Sequence, residues 1–88
     1  MKVIVKLYAT LTQNISKDIL SEHPEGIRSG IPFEVTIPAG STLRDLVTHL
    51  SLPEDVVKLT YVNGLRKEFN YQLQLGDQVG IFPPIAGG

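Results

Sequence analysis

The group best placed to do chemistry in this sequence is the terminal carboxylate of Gly88, which directly follows Gly87. Because glycine lacks a Cβ atom, such a backbone can pass through a channel too narrow for other residues and deliver the carboxylate to a site in another protein. Pro83 and Pro84 fix φ near the polyproline value, so they hold the start of this segment extended and direct it outward. We therefore expect residues 83–88 to form a flexible C-terminal tail, and the alternative is an idle, frayed terminus.

The side chains offer few other routes to catalysis. The chain has no cysteine, which excludes disulfides, thiolate metal sites and a thiol nucleophile. Its two histidines, His23 and His49, are far apart in sequence and lack a regular acidic spacing, so no metal site is expected. The acidic residues show no pairing typical of acid–base catalysis. Whatever chemistry occurs must therefore use a group other than a thiol, and these side chains form no recognisable catalytic set.

Length and charge indicate one small globular domain. The 88 residues are 42% hydrophobic and 19% charged, a balance typical of a folded domain with a single core. The formal net charge is −1 and there is no run of like charges, so the sequence shows no basic surface for binding nucleic acid or an anionic membrane. Residues 1–6 lack the apolar stretch of a secretory signal, and no apolar run approaches the length of about 18 residues that a membrane helix needs. We therefore expect a cytoplasmic protein.

Alternation of apolar and polar residues predicts the strands that must position the terminus. They are expected, in chain order, at residues 2–8, 31–37, 58–63, 66–68 and 78–82. Pro32 cannot donate to a ladder, so the second strand should lie at a sheet edge. The Asn63-Gly64 pair predicts a hairpin with the short strand that follows. In the last strand Val79 and Ile81 should face the core, and Phe82 should face outward.

One amphipathic helix is predicted after the second strand. Thr42 stands three residues before Asp45, which approximates a capping box at the start of a helix. Apolar residues follow with the spacing i, i+3, i+4 and i+7, at Leu43, Leu46, Val47 and Leu50. This stripe should cover one face of the sheet.

Residues 9–30 are polar and contain several helix and strand breakers, so we interpret them as a long loop. Ser16 could cap a short helical turn that ends at Ser21. A functional loop and a harmless insertion are both compatible with this segment.

The element order predicts an α+β fold in which one main helix packs on a mixed sheet of four to five strands. Placing the first and last strands side by side at the centre puts their inward residues against the helix. The same arrangement brings Ile4, Tyr8 and Phe82 together on the opposite face of the sheet. Contiguous exposed apolar area on a small domain typically marks an interaction surface, so this face is a candidate partner site.

The ending of the chain also carries a family resemblance. Phe82-Pro83-Pro84 followed by Gly87-Gly88, together with the order of strands and helix, resembles the MoaD/ThiS family of ubiquitin-like sulfur carriers, and within it the small subunit of molybdopterin synthase. The Val62-Asn63-Gly64 turn agrees with the family, whereas residues 13–30 are longer than its usual connection. The resemblance implies a β-grasp fold with an extended Gly-Gly tail.

The resemblance further implies a function. A ubiquitin-activating-type adenylyltransferase would use ATP to adenylate the carboxylate of Gly88, and sulfur from a persulfide donor would replace the AMP to give a thiocarboxylate. The tail would then enter the large subunit of molybdopterin synthase and deliver sulfur to cyclic pyranopterin monophosphate, building the dithiolene. The chain would be a noncatalytic subunit or cosubstrate and would bind no cofactor itself.

Site residues follow from the same resemblance. Gly88 would be the modified residue, and the tail would be threaded through its partner at Gly87, Ala86, Ile85, Pro84 and Pro83. Phe82 and Tyr8 would be the aromatic contacts with partner proteins, and the exposed apolar face of the sheet adds Ile4 to the predicted interface. The alternatives are a carrier for the related tungsten cofactor, for the thiazole of thiamine or for another sulfur-containing metabolite, a ubiquitin-like modifier conjugated through Gly88, and a plain interaction domain with an idle tail.

Overall fold

A computed structural model describes residues 1–84 as a five-stranded mixed sheet covered on one face by helices. The strand order across the sheet is β2-β1-β5-β3-β4. The strands are β1 (Lys2–Leu7), β2 (Phe33–Thr36), β3 (Leu59–Val62), β4 (Leu65–Arg66) and β5 (Gln78–Phe82). The helices are α1 (Lys17–Ser21) and α2 (Leu43–His49), with single 3-10 turns at Ala9–Gln13 and Glu54–Val56.

The first and last strands lie side by side at the centre of the sheet, as the sequence predicts, and they run parallel. Val5 pairs with Val79 and Leu7 pairs with Ile81 in register. All four side chains are at most 2% exposed. β5 is also paired antiparallel to β3, so the strand that leads to the C-terminus is hydrogen-bonded on both sides.

α2 begins at the predicted capping box. The Thr42 side chain accepts a hydrogen bond from the Asp45 backbone N–H, and the Asp45 carboxylate accepts one from the Thr42 N–H. These two bonds satisfy donors that the first turn of a helix leaves free. The predicted apolar stripe, from Leu43 to Leu50, is fully buried against the sheet.

Residues 9–30 differ from the predicted loop. Ala9–Gln13 forms a 3-10 turn and Lys17–Ser21 forms a helix whose N-cap is Ser16, as its weak cap signal indicated. Three apolar side chains of this segment belong to the core, at Leu11, Ile15 and Ile19. Leu11 lies in the 3-10 turn, Ile15 in the bend that follows and Ile19 in α1, so the segment folds back over the core because burial of these apolar side chains outweighs its polar composition. The interpretation as a plain loop was therefore wrong for residues 9–21.

Two strand boundaries also needed correction. β2 begins only at Phe33, because Pro32 cannot donate to the ladder, and Ile31 is 58% exposed instead of facing the core. The return strand of the hairpin is Leu65–Arg66, not residues 66–68. Asn63 and Gly64 occupy the two-residue turn with φ of 53° and 84°, and this left-handed pair lets the return strand start immediately. β2 lies at the sheet edge, as predicted from Pro32.

Side chains connect this hairpin to the turn before β5. The Asn63 amide donates to Asp77 Oδ1 at 3.0 Å, and the backbone N–H of Gln78 donates to Asn63 Oδ1 at 3.0 Å. The other carboxylate oxygen of Asp77 accepts from the Gln74 N–H at 2.8 Å. Asp77 is only 6% exposed, and these bonds compensate for the burial of its charge. They also fix the point at which β5 begins.

No helix within residues 1–84 is long and apolar enough to cross a membrane.

Candidate partner-docking site

An aromatic stack covers the sheet face opposite α2, at the end of the central strands. The rings of Tyr8 and Phe82 lie parallel, with centroids 4.1 Å apart and an interplanar angle of 6°. Tyr61 of β3 meets the Phe82 ring edge-on, at 5.7 Å and 81°. The edge-on contact suits the quadrupoles of aromatic rings, and the parallel rings are within van der Waals contact, so each ring restrains its neighbour. We call these three residues the aromatic cluster.

Gly80 forms the floor beneath two of these rings. A Cβ atom at this position would lie 3.6 Å from Cε1 of Phe82 and 3.8 Å from Cε2 of Tyr8. Both distances are ordinary van der Waals contacts, so an alanine would fit but a larger side chain would push the rings apart. Because Gly80 has no side chain, the two stacked rings can pack directly against the backbone of β5.

The aromatic cluster lies along a shallow groove of about 300 Å³. Its remaining walls come from β1, β5 and the hairpin turn, at Ile4, Lys6, Gly64, Gln78, Val79 and Gly80. The groove is thus apolar at its centre with polar side chains from Lys6 and Gln78 beside it. That composition is typical of a protein–protein contact surface.

The segment after β1 supports the outer side of Tyr8. Gly30 donates its backbone N–H to Leu7 O at 2.8 Å, and Ser29 Oγ accepts from the Ala9 N–H at 2.9 Å. A Cβ atom at Gly30 would lie 3.6 Å from Cε1 of Tyr8. The φ of Gly30 is 75°, a region that L side chains rarely adopt. Residues 29 and 30 therefore restrain the backbone on both sides of Tyr8, at Leu7 and Ala9.

The backbone at the end of β5 is held from two directions. Tyr8 donates its N–H to Ile81 O at 3.2 Å, and Lys58 donates its N–H to Phe82 O at 2.9 Å. The following Pro83 is half-buried, and Pro84 is exposed. The chain thus leaves the sheet from a fixed point beside the aromatic cluster, and we call residues 82–84 the tail root.

The structure brings together the three residues predicted for the interface. Ile4, Tyr8 and Phe82 line one groove on the predicted face, while their contact with a partner stays a prediction. The other predicted site residues, Ile85, Ala86, Gly87 and Gly88, lie outside the described residues.

Sequence reasoning missed Tyr61 and Gly80. Tyr61 alternates with the buried Thr60 and Val62, so its outward direction could have been read from the strand pattern. Its contact with Phe82 follows only from the register, in which Tyr61 faces Gly80 across the β3–β5 pair. Register is a long-range property that one strand's pattern does not specify.

Other polar side chains do not form a reaction centre in the part of the chain that the structure describes. Residues 1–84 contain no group of three or more His, Cys, Asp and Glu side chains arranged to hold a metal ion. His23 packs edge-on against Phe33 with ring centroids 5.3 Å apart and lies 3.7 Å from Glu25, whereas His49 is exposed on α2. Among residues 1–84, the aromatic cluster and its groove are therefore the feature best suited to recognition by contact.

Comparisons with known proteins agree with this geometry. A family model described as the ThiS family matches residues 25–88, which include β5, the tail root and the Gly-Gly end. No curated protein sequence matches the chain.

Solved structures show the same fold. The chain is similar to a putative molybdopterin converting factor subunit 1 from Pyrococcus furiosus, with 26% identity, a TM-score of 0.65 and coverage of 97% of this chain and 99% of that one. It is also similar to SAMP1 from Haloferax volcanii, with 20% identity, a TM-score of 0.64 and full coverage of both chains. A chain from the complex of subunits 1 and 2 of the molybdopterin-converting factor of Helicobacter pylori matches with 20% identity, a TM-score of 0.57 and full coverage of both. These matches confirm the predicted ubiquitin-like β-grasp fold.

Proposed function

The chain belongs to the ThiS family, within the MoaD/ThiS group of small ubiquitin-like proteins, and from that premise we propose that it is a sulfur carrier activated at Gly88. A ubiquitin-activating-type adenylyltransferase would join the Gly88 carboxylate to AMP from ATP, with release of pyrophosphate. The terminal sulfur of a persulfide would attack the acyl carbon, and AMP would leave with the electrons of the C–O bond. A thiol would reduce the resulting acyl disulfide and release the thiocarboxylate.

The observation that carries this proposal is the tail root, whose backbone is hydrogen-bonded in place beside the aromatic cluster and which precedes the Gly-Gly end of the sequence. Phe82 belongs to the aromatic cluster, and its carbonyl is hydrogen-bonded by Lys58. Six residues follow from Pro83 to Gly88, and fully extended they span at most about 20 Å. A partner that binds the aromatic cluster could therefore receive the carboxylate in a site about that far away. In such an arrangement the carrier supplies position, and the partner supplies acid, base and nucleotide.

Molybdopterin synthesis is the pathway we propose, with the large subunit of molybdopterin synthase as the acceptor of the tail. The support is the likeness to the Pyrococcus furiosus protein named as a molybdopterin converting factor subunit 1, together with the Phe82-Pro83-Pro84 approach to the glycines. In the Helicobacter pylori structure a chain of this fold occurs in a complex of subunits 1 and 2. We expect the present chain to pair with its own large subunit through the aromatic cluster.

Intact-mass measurement after co-expression with the cognate adenylyltransferase and a persulfide donor tests the carrier function. An oxygen-to-sulfur mass increase on Gly88 is the expected result. Adducts with other proteins would favour a ubiquitin-like modifier, and an unchanged mass would favour a plain interaction domain. A large-subunit assay of dithiolene formation then separates the molybdopterin pathway from sulfur delivery to a thiazole or another metabolite.

Deleting Gly88 provides a sharper version of the same test. The shortened chain still ends in a glycine carboxylate, but its reactive carbon lies about 3.5 Å closer to the root. A misplacement of about 1 Å can lower a reaction rate by about 100-fold, so we expect at least that loss in thiocarboxylate formation. Circular dichroism should show an unchanged fold, because β5 ends at Phe82. Sulfur transfer at the wild-type rate would overturn the proposed role of Gly88.

A further inference from the structure

A basic groove lies between α2 and the β3–β4 hairpin and is separate from the aromatic cluster. Its volume is about 440 Å³. The charged residues that line it are Arg44, Lys58, Arg66, Lys67 and Glu68. Half of the chain's eight basic residues therefore line one groove, although the chain as a whole has a net charge of −1. The groove is a local concentration of positive charge on a weakly acidic protein.

Aromatic rings hold two of these cations in place. The Arg44 guanidinium lies over the Phe69 ring, 5.3 Å from its centroid, and the Lys67 ammonium lies over the Tyr71 ring at 5.1 Å. Cation–π contacts of this kind restrict long side chains that would otherwise sample many rotamers. Cations that are already ordered lose less entropy when they bind an anion. The groove is therefore better prepared for an anionic ligand than scattered surface lysines are.

The groove also adjoins the tail root. Lys58 lines the groove, and its backbone N–H donates to Phe82 O at 2.9 Å. In β3, which begins at the residue after Lys58, Thr60 lines the groove while Tyr61 contacts Phe82 in the aromatic cluster. A protein that takes up the tail would therefore meet the aromatic cluster on one side of β3 and the basic groove on the other.

We infer that the basic groove binds an acidic segment of the adenylyltransferase, as a second contact beside the aromatic cluster. This inference rests on the proposed carrier function for the identity of the partner. Glu68 lies among the four cations and Glu54 is paired with Arg44 at 3.2 Å, so four positive and two negative charges leave a surplus of only two. So small a surplus suits a short acidic protein segment and not the row of phosphates of a nucleic acid. Nucleic-acid binding typically neutralises a longer row of phosphates and accompanies a strongly basic domain, whereas the pI of this chain is about 6.0.

The test compares two charge reversals of equal size. The groove variant carries Arg66→Glu and Lys67→Glu, and the matched control carries Lys2→Glu and Lys17→Glu at exposed positions outside the groove. In an adenylation assay with the cognate enzyme, the groove variant should raise KM for the carrier about tenfold at low salt and leave kcat unchanged. The difference should shrink as salt rises toward physiological strength and beyond, since the contacts are exposed. A groove variant that behaves like the control would overturn the inference.

A second measurement does not depend on the carrier function. Titration of the ¹⁵N-labelled protein with an oligoglutamate peptide should shift the amide signals of residues 58 and 66–70 and leave those near Lys2 and Lys17 unchanged. Absence of these shifts, or stronger shifts with a single-stranded oligonucleotide of equal charge, would overturn the basic groove as a site for acidic protein. If wild-type chain is not adenylated, the proposed function fails, and the peptide titration alone then decides the nature of the groove.

Discussion

Replacing Asn63 tests whether the hairpin turn and the start of β5 are held together by side-chain hydrogen bonds. Asn63→Gly removes the bond to the Asp77 carboxylate and the bond from the Gln78 N–H while keeping a residue that tolerates the φ of 53°. A hydrogen bond to a charged group is worth about 1.5–3 kcal/mol, and a neutral one about 0.5–1.5 kcal/mol. Water can reach the Gln78 amide after the change, so we expect a loss near the lower end, about 2 kcal/mol.

Asn63→Ala should cost more than Asn63→Gly. An alanine loses the same two hydrogen bonds and must also adopt the left-handed region, which adds about 1 kcal/mol for a residue with a Cβ atom. The expected loss is therefore about 3 kcal/mol, a large share of the roughly 4–13 kcal/mol that a chain of this length typically has. At most exposed positions a substitution by glycine destabilises a protein more than one by alanine, because glycine gains more backbone entropy on unfolding.

Urea denaturation followed by circular dichroism measures these differences. Asn14→Ala is the matched control, because Asn14 is exposed with a φ of −95° that any residue adopts. It should change the free energy of unfolding by less than about 0.5 kcal/mol. An Asn63→Ala protein as stable as the Asn63→Gly protein would refute the role of the turn conformation. Losses below about 0.5 kcal/mol for both would refute the hydrogen-bonded connection.

Three further predictions concern the aromatic cluster, the core and the helix cap. In a double-mutant cycle followed by urea unfolding, Tyr8→Ala and Phe82→Ala should show a coupling energy of about 1 kcal/mol, because each substitution removes the same ring stack. Strictly additive losses of stability would contradict that contact. Leu11→Ala should lower the free energy of unfolding by about 2–5 kcal/mol, because the Leu11 side chain is fully buried. The control Ile31→Ala should lower it by less than about 0.5 kcal/mol, because Ile31 is 58% exposed. Equal effects would contradict the packing of residues 9–21. Thr42→Ala should lower the free energy of unfolding by about 1 kcal/mol, and Thr42→Ser should restore most of it because its hydroxyl can still cap the helix. Thermal unfolding measures both variants, and an unchanged Thr42→Ala protein would contradict a stabilising role of the capping box.

Local patterns predicted most of the scaffold because each reflects a short-range physical rule. The capping box at Thr42 and Asp45 depends on atoms three residues apart, and the Asn63-Gly64 turn depends on two adjacent φ angles. The inward direction of Val79 and Ile81 follows from the two-residue period of a strand. The central pairing of β1 with β5 was also predicted correctly, from the order of elements.

Features that depend on long-range packing were predicted less well. The core role of Leu11, Ile15 and Ile19 was missed because polar residues surround them and they lie on three different short elements, a 3-10 turn, a bend and α1. The basic groove unites residues 44, 58 and 66–68, which come close only after α2 has packed on the sheet. The contact of Tyr61 with Phe82 likewise depends on the register of β3 against β5. The pattern of a single segment does not show which residues of distant segments will be in contact.

The hydrogen bonding of β5 on both of its edges has a mechanical consequence. A pull on the C-terminus would load this strand along its own axis, parallel to β1 on one side and antiparallel to β3 on the other. In that shear geometry the ladder hydrogen bonds share the load and must break nearly together, whereas a strand peeled from an edge loses them one at a time. A protein that pulls on the tail would therefore unfold the domain only by breaking both ladders of β5 nearly together.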